Sequence, residues 1–154
     1  MKKLGIFLIA LIVIAGGIFL AKDFIAQKAL LGGVEGMTGL KARAGAINLD
    51  LGASSLHVKD FILLNPHEFP EPTMAQMPEI YCDIDLGALM NNKIHLNELR
   101  LDLDTLTVLI TKDGKVNLKS VQLPESEGES QATDIAIDVL DLTIGTVLLK
   151  DYRQ

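Results

Sequence analysis

From Met77 to Leu118 the chain alternates aliphatic and polar positions: Ile80, Cys82, Ile84 and Leu86 share one parity, and Tyr81, Asp83 and Asp85 the other. Strict period-two alternation places the apolar set on one face of a pleated strand and the carboxylates on the opposite, wetted face. Asn91-Asn92 and Asp113-Gly114 punctuate the stretch. Both tolerate positive φ, and Asp-Gly between alternating runs is a hairpin signal. The pattern therefore predicts an antiparallel meander with one greasy and one acidic face. Ile94, Leu96, Leu101 and Leu103 extend the greasy side, after which parity shifts to Leu106, Val108 and Ile110. Such a shift predicts a bulge near Asp104-Thr105 that curls the sheet.

The N-terminus has no alternation. After Lys2-Lys3, Leu4 to Ala21 form an uncharged apolar run that spans ~27 Å as a helix, close to the ~30 Å hydrocarbon core of a bilayer. This predicts a transmembrane signal-anchor over residues 4–21, with residues 1–3 as a cytoplasmic tip under the positive-inside rule. Ala15-Gly16-Gly17 leaves a signal-peptide cleavage site open as an alternative. Residues 22–36 predict a juxtamembrane helix ending near Gly32-Gly33. Its Phe24, Ile25, Leu30 and Leu31 would seat a sheet beside the membrane.

Residues 37–119 read as the β-sheet domain. Leu40 to Leu51 and Ser54 to Leu64 predict two strands joined at Gly52-Ala53, with a bulge around Asp60 where Leu56 and Val58 give way to Phe61 and Leu63. Pro66 to Pro78, with four of the five prolines, predicts a loop over one end of the sheet. Residues 120–133, rich in Glu, Ser, Gln and Gly, predict an acidic linker. Residues 134–154 return to alternation and supply a further strand, or two short ones bent at Gly145. A hydrophobic strand in that position offers a sticky edge unless another strand or chain pairs with it.

Charge and composition narrow the function. With 14 Lys and Arg against 20 Asp and Glu, the net charge of −6 opposes binding to nucleic-acid phosphates and electrostatic docking on anionic lipid. Cys82 is the single cysteine, so an intramolecular disulfide and a CxxC zinc site are excluded; its apolar parity predicts an inert thiol. His57, His67 and His95 have no neighbouring His or Cys at ligand spacing. Asp83, Asp85, Asp102 and Asp104 mark the wet face of strands, without a calcium-loop or paired-acid context. Ser54-Ser55 lacks a nucleophile elbow, and Gly32, Gly33, Gly36 and Gly39 match no phosphate loop. The expectation is a non-enzyme without metal or cofactor.

An anchor, a following helix, a Thr38-Gly39 turn, the passage VKDFILLNPHEF (Val58 to Phe69), PEIYCDIDLGALMNNKIHLNELRLD (Pro78 to Asp102) and TKDGKVNL (Thr111 to Leu118) together resemble the N-terminal portion of AsmA-like proteins. These are bacterial envelope proteins anchored in the inner membrane and related at the fold level to the bridge-like lipid transfer proteins. The likeness covers Met1 to Leu118, and its most specific phrases lie at Ile84 to Ile94 and Asp113 to Leu118. Two features depart from it: large members of the family run to hundreds of residues, and Glu68 stands before Phe69 where a glycine is expected. The Asn65-Pro66 strand ending is also similar to that of LEA-2/WHy β-sandwich domains.

The resemblance implies a mainly β fold with an N-terminal helix, its sheet curled into a taco-like groove on a single anchor. It also implies a periplasm-facing, lipid-binding role in phospholipid transport or envelope homeostasis, with membrane phospholipid acyl chains as the ligand. The groove candidates are Ile84, Leu86, Ile94, Leu96, Leu101, Leu103, Val108 and Ile110. Size leads the same way: six strands at ~4.8 Å make a sheet ~29 Å wide, and one helix covers only about 10–12 Å. The rival expectation is a scaffolding subunit, homo-oligomeric or bound to a partner protein through the C-terminal strand edge.

Overall fold

The structure, a computed structural model, describes residues 2–91, 93–122 and 135–153. Most side chains before Leu20, and that of Ile135, lie outside this description. One long helix, α1 (Lys2–Thr38), precedes a six-stranded sheet. At ~1.5 Å per residue α1 is ~55 Å long. It does not stop at Gly32-Gly33 as the sequence predicts but runs through Gly32, Gly33 and Gly36. It ends on Gly39, whose φ of 70° lets its N–H reach the Glu35 carbonyl at 2.8 Å. Only a residue free to enter the left-handed region closes a helix this way. Among the described residues no helix is long and apolar enough to cross a membrane. The anchor expectation falls on Leu4 to Ala21, where most side chains are undescribed.

The strands are β1 (Ala42–Arg43), β2 (Ala46–Asp50), β3 (Ser55–Leu64), β4 (Thr73–Ile84), β5 (Ile94–Ile110) and β6 (Ile135–Asp151). Their spatial order is β1-β3-β4-β5-β6, with β2 pairing β3 beyond β1. The sheet is curled and not closed. The antiparallel expectation holds from β1 to β5 and fails at the last step. β6 pairs β5 in parallel, from Ile94↔Ile135 to Ile110↔Asp151. It is also one continuous strand, not two short ones. Parallel neighbours need a crossover of about a dozen residues, and residues 123–134, where the acidic-linker expectation falls, lie outside the described residues.

Three local expectations are corrected. β4 starts at Thr73 and includes Pro78, so the proline loop is shorter than predicted. Leu86 leaves the strand for a short helix, α2 (Leu86–Met90), because the Asp85 side chain accepts from the Ala88 N–H at 3.0 Å and caps it. Asp85 is thus a helix cap, not a member of the strand's wet face. Gly114 takes a φ of 79°, as the Asp-Gly signal requires, yet the turn closes only an isolated bridge, Ile110↔Val116. A 3₁₀ turn (Asn117–Ser120) follows in place of a strand.

Neither predicted bulge inserts a residue: the register is unbroken across Asp60 and across Asp104-Thr105 and shifts instead between Leu63 and Leu64 and between Asp83 and Ile84. The two predicted positions lie on one feature of another kind. Asp60 has a φ of 51°, and β1 and β2 are separated at Ala44-Gly45, beside it. The β3–β4 ladder skips the pair between Lys59↔Glu79 and Phe61↔Met77, where Pro78 has no N–H to give. The β4–β5 ladder skips from Glu79↔Asp102 to Gln76↔Thr105, and β5–β6 from Leu103↔Ile144 to Thr105↔Thr146. A crease therefore crosses the sheet at one level. At each crossing the apolar residues step by three positions instead of two, as in Val58 to Phe61, which keeps them on the same face while the sheet bends.

Ile47, Val58 and Phe61 form the buried core under α1, packed by Ala26, Leu30, Leu31 and Val34 of the helix and by Leu56, Leu63, Met77 and Ile80 of the sheet. Leu30 and Leu31 pack the helix onto the sheet. Phe24 and Ile25 do not: they are 61% and 56% exposed. The helix is also clipped to the outer edge of β2, where the Leu49 N–H donates to Asp23 at 2.8 Å and Lys22 donates to the Leu49 carbonyl.

Candidate functional site: an uncovered apolar face

The core beneath α1 draws on β1 to β4 and on no residue of β5 or β6. The sheet is effectively five strand positions across, ~24 Å at ~4.8 Å each, and the ~10–12 Å helix lies over the β2–β3 side. What remains is the same face of β5 and β6. Register carries it across: Val58 pairs Ile80, Ile80 pairs Leu101, and Leu101 pairs Leu142. Leu99, Leu103, Leu106 and Val108 share that face on β5, opposite Leu140, Ile144, Val147 and Leu149 of β6.

Of the groove candidates, Ile84, Ile94, Leu96, Leu101, Leu103, Val108 and Ile110 are brought together on this strip, Ile84 as the last residue of β4 and the rest on β5. Leu96 meets Ile84 across a register shift. Leu86 is displaced onto α2 at the end of the sheet, 38% exposed. The β5 members are half-buried apart from Ile94 at the edge, whereas β6 is exposed from Ala136 to Asp151. Leucines of β6 that the sequence places only in "a further strand" thus make half of the wall. The Cys82 thiol, on the same face between Leu56 and Leu99, is half-buried, and burial pushes its pKa up. A protonated thiol is a poor nucleophile.

The opposite face is mixed: at the Ile110 end it carries the fully buried Leu109, which alternates with Val108 and Ile110, and across the middle of the sheet it is polar. His57, Tyr81, Arg100 and Asp141 stand in one cross-strand row; the His57 and Tyr81 rings are 4.7 Å apart, and the Arg100 guanidinium lies 5.2 Å over the Tyr81 ring. Among the described residues no group of three or more His, Cys, Asp or Glu could hold a metal ion.

Two polar clusters fix the ends of the wall, and the sequence gives little hint of either. At the Ile94 end, His95 lies between Asp85 (Nδ1 to Oδ2, 3.2 Å) and Asp138 of β6 (Nε2 to Oδ1, 3.0 Å). These two carboxylates hold its pKa above the ordinary value, Asp138 contributing most. The Asp85 carboxyl is held down, first by the Ala88 N–H and then by His95. At the Ile110 end, Glu71 accepts from Lys150 at 2.6 Å and from the Tyr152 hydroxyl at 2.9 Å. Both contacts hold the Glu71 carboxyl below its usual range, Lys150 foremost.

A buried amide pair completes that end. The β4–β5 ladder stops at Ala75↔Leu106, leaving β5 groups without a strand partner. The fully buried Asn117 side chain takes them: it accepts from the Leu109 N–H at 2.9 Å and donates to the Thr107 carbonyl at 2.8 Å and to Asn65 Oδ1 at 2.9 Å. Asn65 in turn donates to the Glu71 and Thr73 carbonyls. The chemical work of the two asparagines here is to replace a missing strand.

No known protein family, curated protein or solved structure matches this chain.

Proposed function

We propose that this protein is an AsmA-like, inner-membrane-anchored module that faces the periplasm and binds phospholipid acyl chains on the β5–β6 strip, in lipid transport or outer-membrane and envelope homeostasis. The observation that carries the reading is the half-covered sheet. A continuous apolar strip too wide for its own helix calls for an apolar occupant, since exposed patches of that kind mark interaction surfaces. Each buried methylene contributes about 0.8 kcal/mol, so a single acyl chain laid on the strip offsets a substantial ordering cost.

The anchor is part of the proposal. Leu4 to Ala21 carry no charge, and among the described residues the sheet's first grip on α1 is at Lys22 and Asp23. Val13 and Leu20, ahead of that grip, are 67% and 85% exposed. A lipid environment would cover them. Lys2-Lys3 would remain cytoplasmic and the sheet would cross to the periplasm.

Native mass spectrometry of the detergent-extracted full chain is the test. Lipid adducts are expected, and Leu101→Asp or Val108→Asp should remove them while circular dichroism keeps its β signature. A sheet that emerges empty, or adducts that both substitutions leave intact, would sink the reading. The outer edge of β6, unpaired among the described residues, favours a second reading, a scaffolding subunit joined to a protein by strand addition. Photo-crosslinking to lipid separates them, because that reading confines adducts to the N-terminal run.

A further inference from the structure

The sheet's two edges are treated differently. The β2 edge is occupied by Asp23 and Lys22 of α1. The β6 edge, 17 residues long, pairs with no strand among the described residues, and its side chains from Ala136 to Asp151 are exposed on both faces. A long apolar edge of this kind is a template for another strand. Its spacing specifies which one.

The apolar residues Ile137, Leu140, Leu142, Ile144, Val147 and Leu149 share one face, and the three-residue steps at 137–140 and 144–147 lie symmetrically about Leu142. Read backwards from 147 to 137 the intervals are the same. We infer that β6 pairs with β6 of a second copy, antiparallel, about a two-fold axis through Leu142. In that register Leu142 faces its own equivalent, Leu140 faces Ile144, and Ile137 faces Val147. Each irregular step meets an irregular step, so both strands bend together. On the other face Asp138 and Asp141 meet Thr146 and Thr143, and no two carboxylates oppose each other. A shift of two residues either way puts Ile144 opposite Asp138 or Leu140 opposite Thr146, so the register is unique.

The pairing is isologous, as a two-fold dimer demands. About fifteen paired residues at ~3.3 Å give ~50 Å of edge, and a sheet ~10 Å thick then buries about 1,000 Å² in total. That is the lower bound for a specific interface, with about one main-chain hydrogen bond per residue added. The apolar faces of the two copies become continuous across the axis.

The test uses the full chain in detergent micelles with Cys82→Ala, so that only introduced thiols react. Leu142→Cys should give a covalent dimer with a short bismaleimide at least tenfold faster than Leu149→Cys. Leu140→Cys mixed with Ile144→Cys should cross-link where each alone does not. Leu142→Lys should return the particle to one chain with its circular dichroism unchanged. A native mass of one chain per particle, whether the edge is bare or covered by lipid or another protein, would overturn the inference. So would a dimer with equal yields at every position, which places the contact elsewhere, as in α1.

Discussion

Replacing Asn117 by Ala tests how β5 is completed where β4 leaves it. The substitution deletes three hydrogen bonds of 2.8–2.9 Å around a fully buried side chain. It strands the Leu109 N–H, the Thr107 carbonyl and Asn65 Oδ1. A net hydrogen bond is worth about 1 kcal/mol, and a buried partner left unsatisfied costs about 1–3 kcal/mol. Leu109 is itself fully buried, so water does not readily replace the lost partner. The expected loss is about 3 kcal/mol, or roughly 6–12 °C in Tm for a chain of this size. Asn117→Asp should be at least as damaging, since it turns a carboxylate oxygen toward the Thr107 carbonyl and Asn65 Oδ1 where an amide N–H₂ stood. Urea unfolding of the full chain in micelles, followed by far-UV circular dichroism, measures both variants. The double variant with Asn65→Ala should lose less than the sum of the singles, because the two amides share a bond. A loss below about 0.5 kcal/mol for Asn117→Ala, or strict additivity with Asn65→Ala, would refute the account of this end of the sheet.

Gly145→Ala should loosen β6, because an added Cβ would lie 2.5 Å from the Asp104 carbonyl oxygen; amide exchange at the crease should accelerate while exchange under α1 stays slow. Asp85→Ala should fray α2 by removing its N-cap, read as faster exchange at Ala88. The His95 contacts predict a definite pH response. Because His95 has a raised pKa in the folded chain, its stabilisation is complete below the unfolded value near 6.5 and is lost as pH rises through the folded value. Asp85, with a lowered pKa, acts in the opposite sense and loses its contribution only as pH falls below its unfolded value of 3.8. The grip on β6 is therefore strongest between about pH 4 and 6.5. Thermal scans should show a decline in Tm from pH 6 to pH 8 that His95→Gln removes; an unchanged slope in that variant would contradict the assignment.

Local information determined a large share of this protein. Alternation fixes which residues share a face, because side chains in a strand must point to opposite sides in turn, and three-residue steps in that alternation located the crease at Asp60 and Asp104. The excess of apolar face over helix width was also legible, since it follows from strand count and helix diameter alone. Three things were decided only in the tertiary structure. The direction of β6 is one: the apolar intervals of Ile94 to Val108 recur in Ile135 to Leu149 and read alike in both directions, so hydrophobic registry is satisfied by a parallel or an antiparallel neighbour. Asp138 on His95, and Lys150 and Tyr152 on Glu71, break that degeneracy, and they join residues far apart in the chain. The path of α1 is another, since glycines that end an isolated helix are carried through when its Leu30, Leu31 and Val34 are buried on the sheet. The third is Asn117, whose partners Asn65, Thr107 and Leu109 share no local pattern with it and meet only because β4 turns away from β5 before β5 ends.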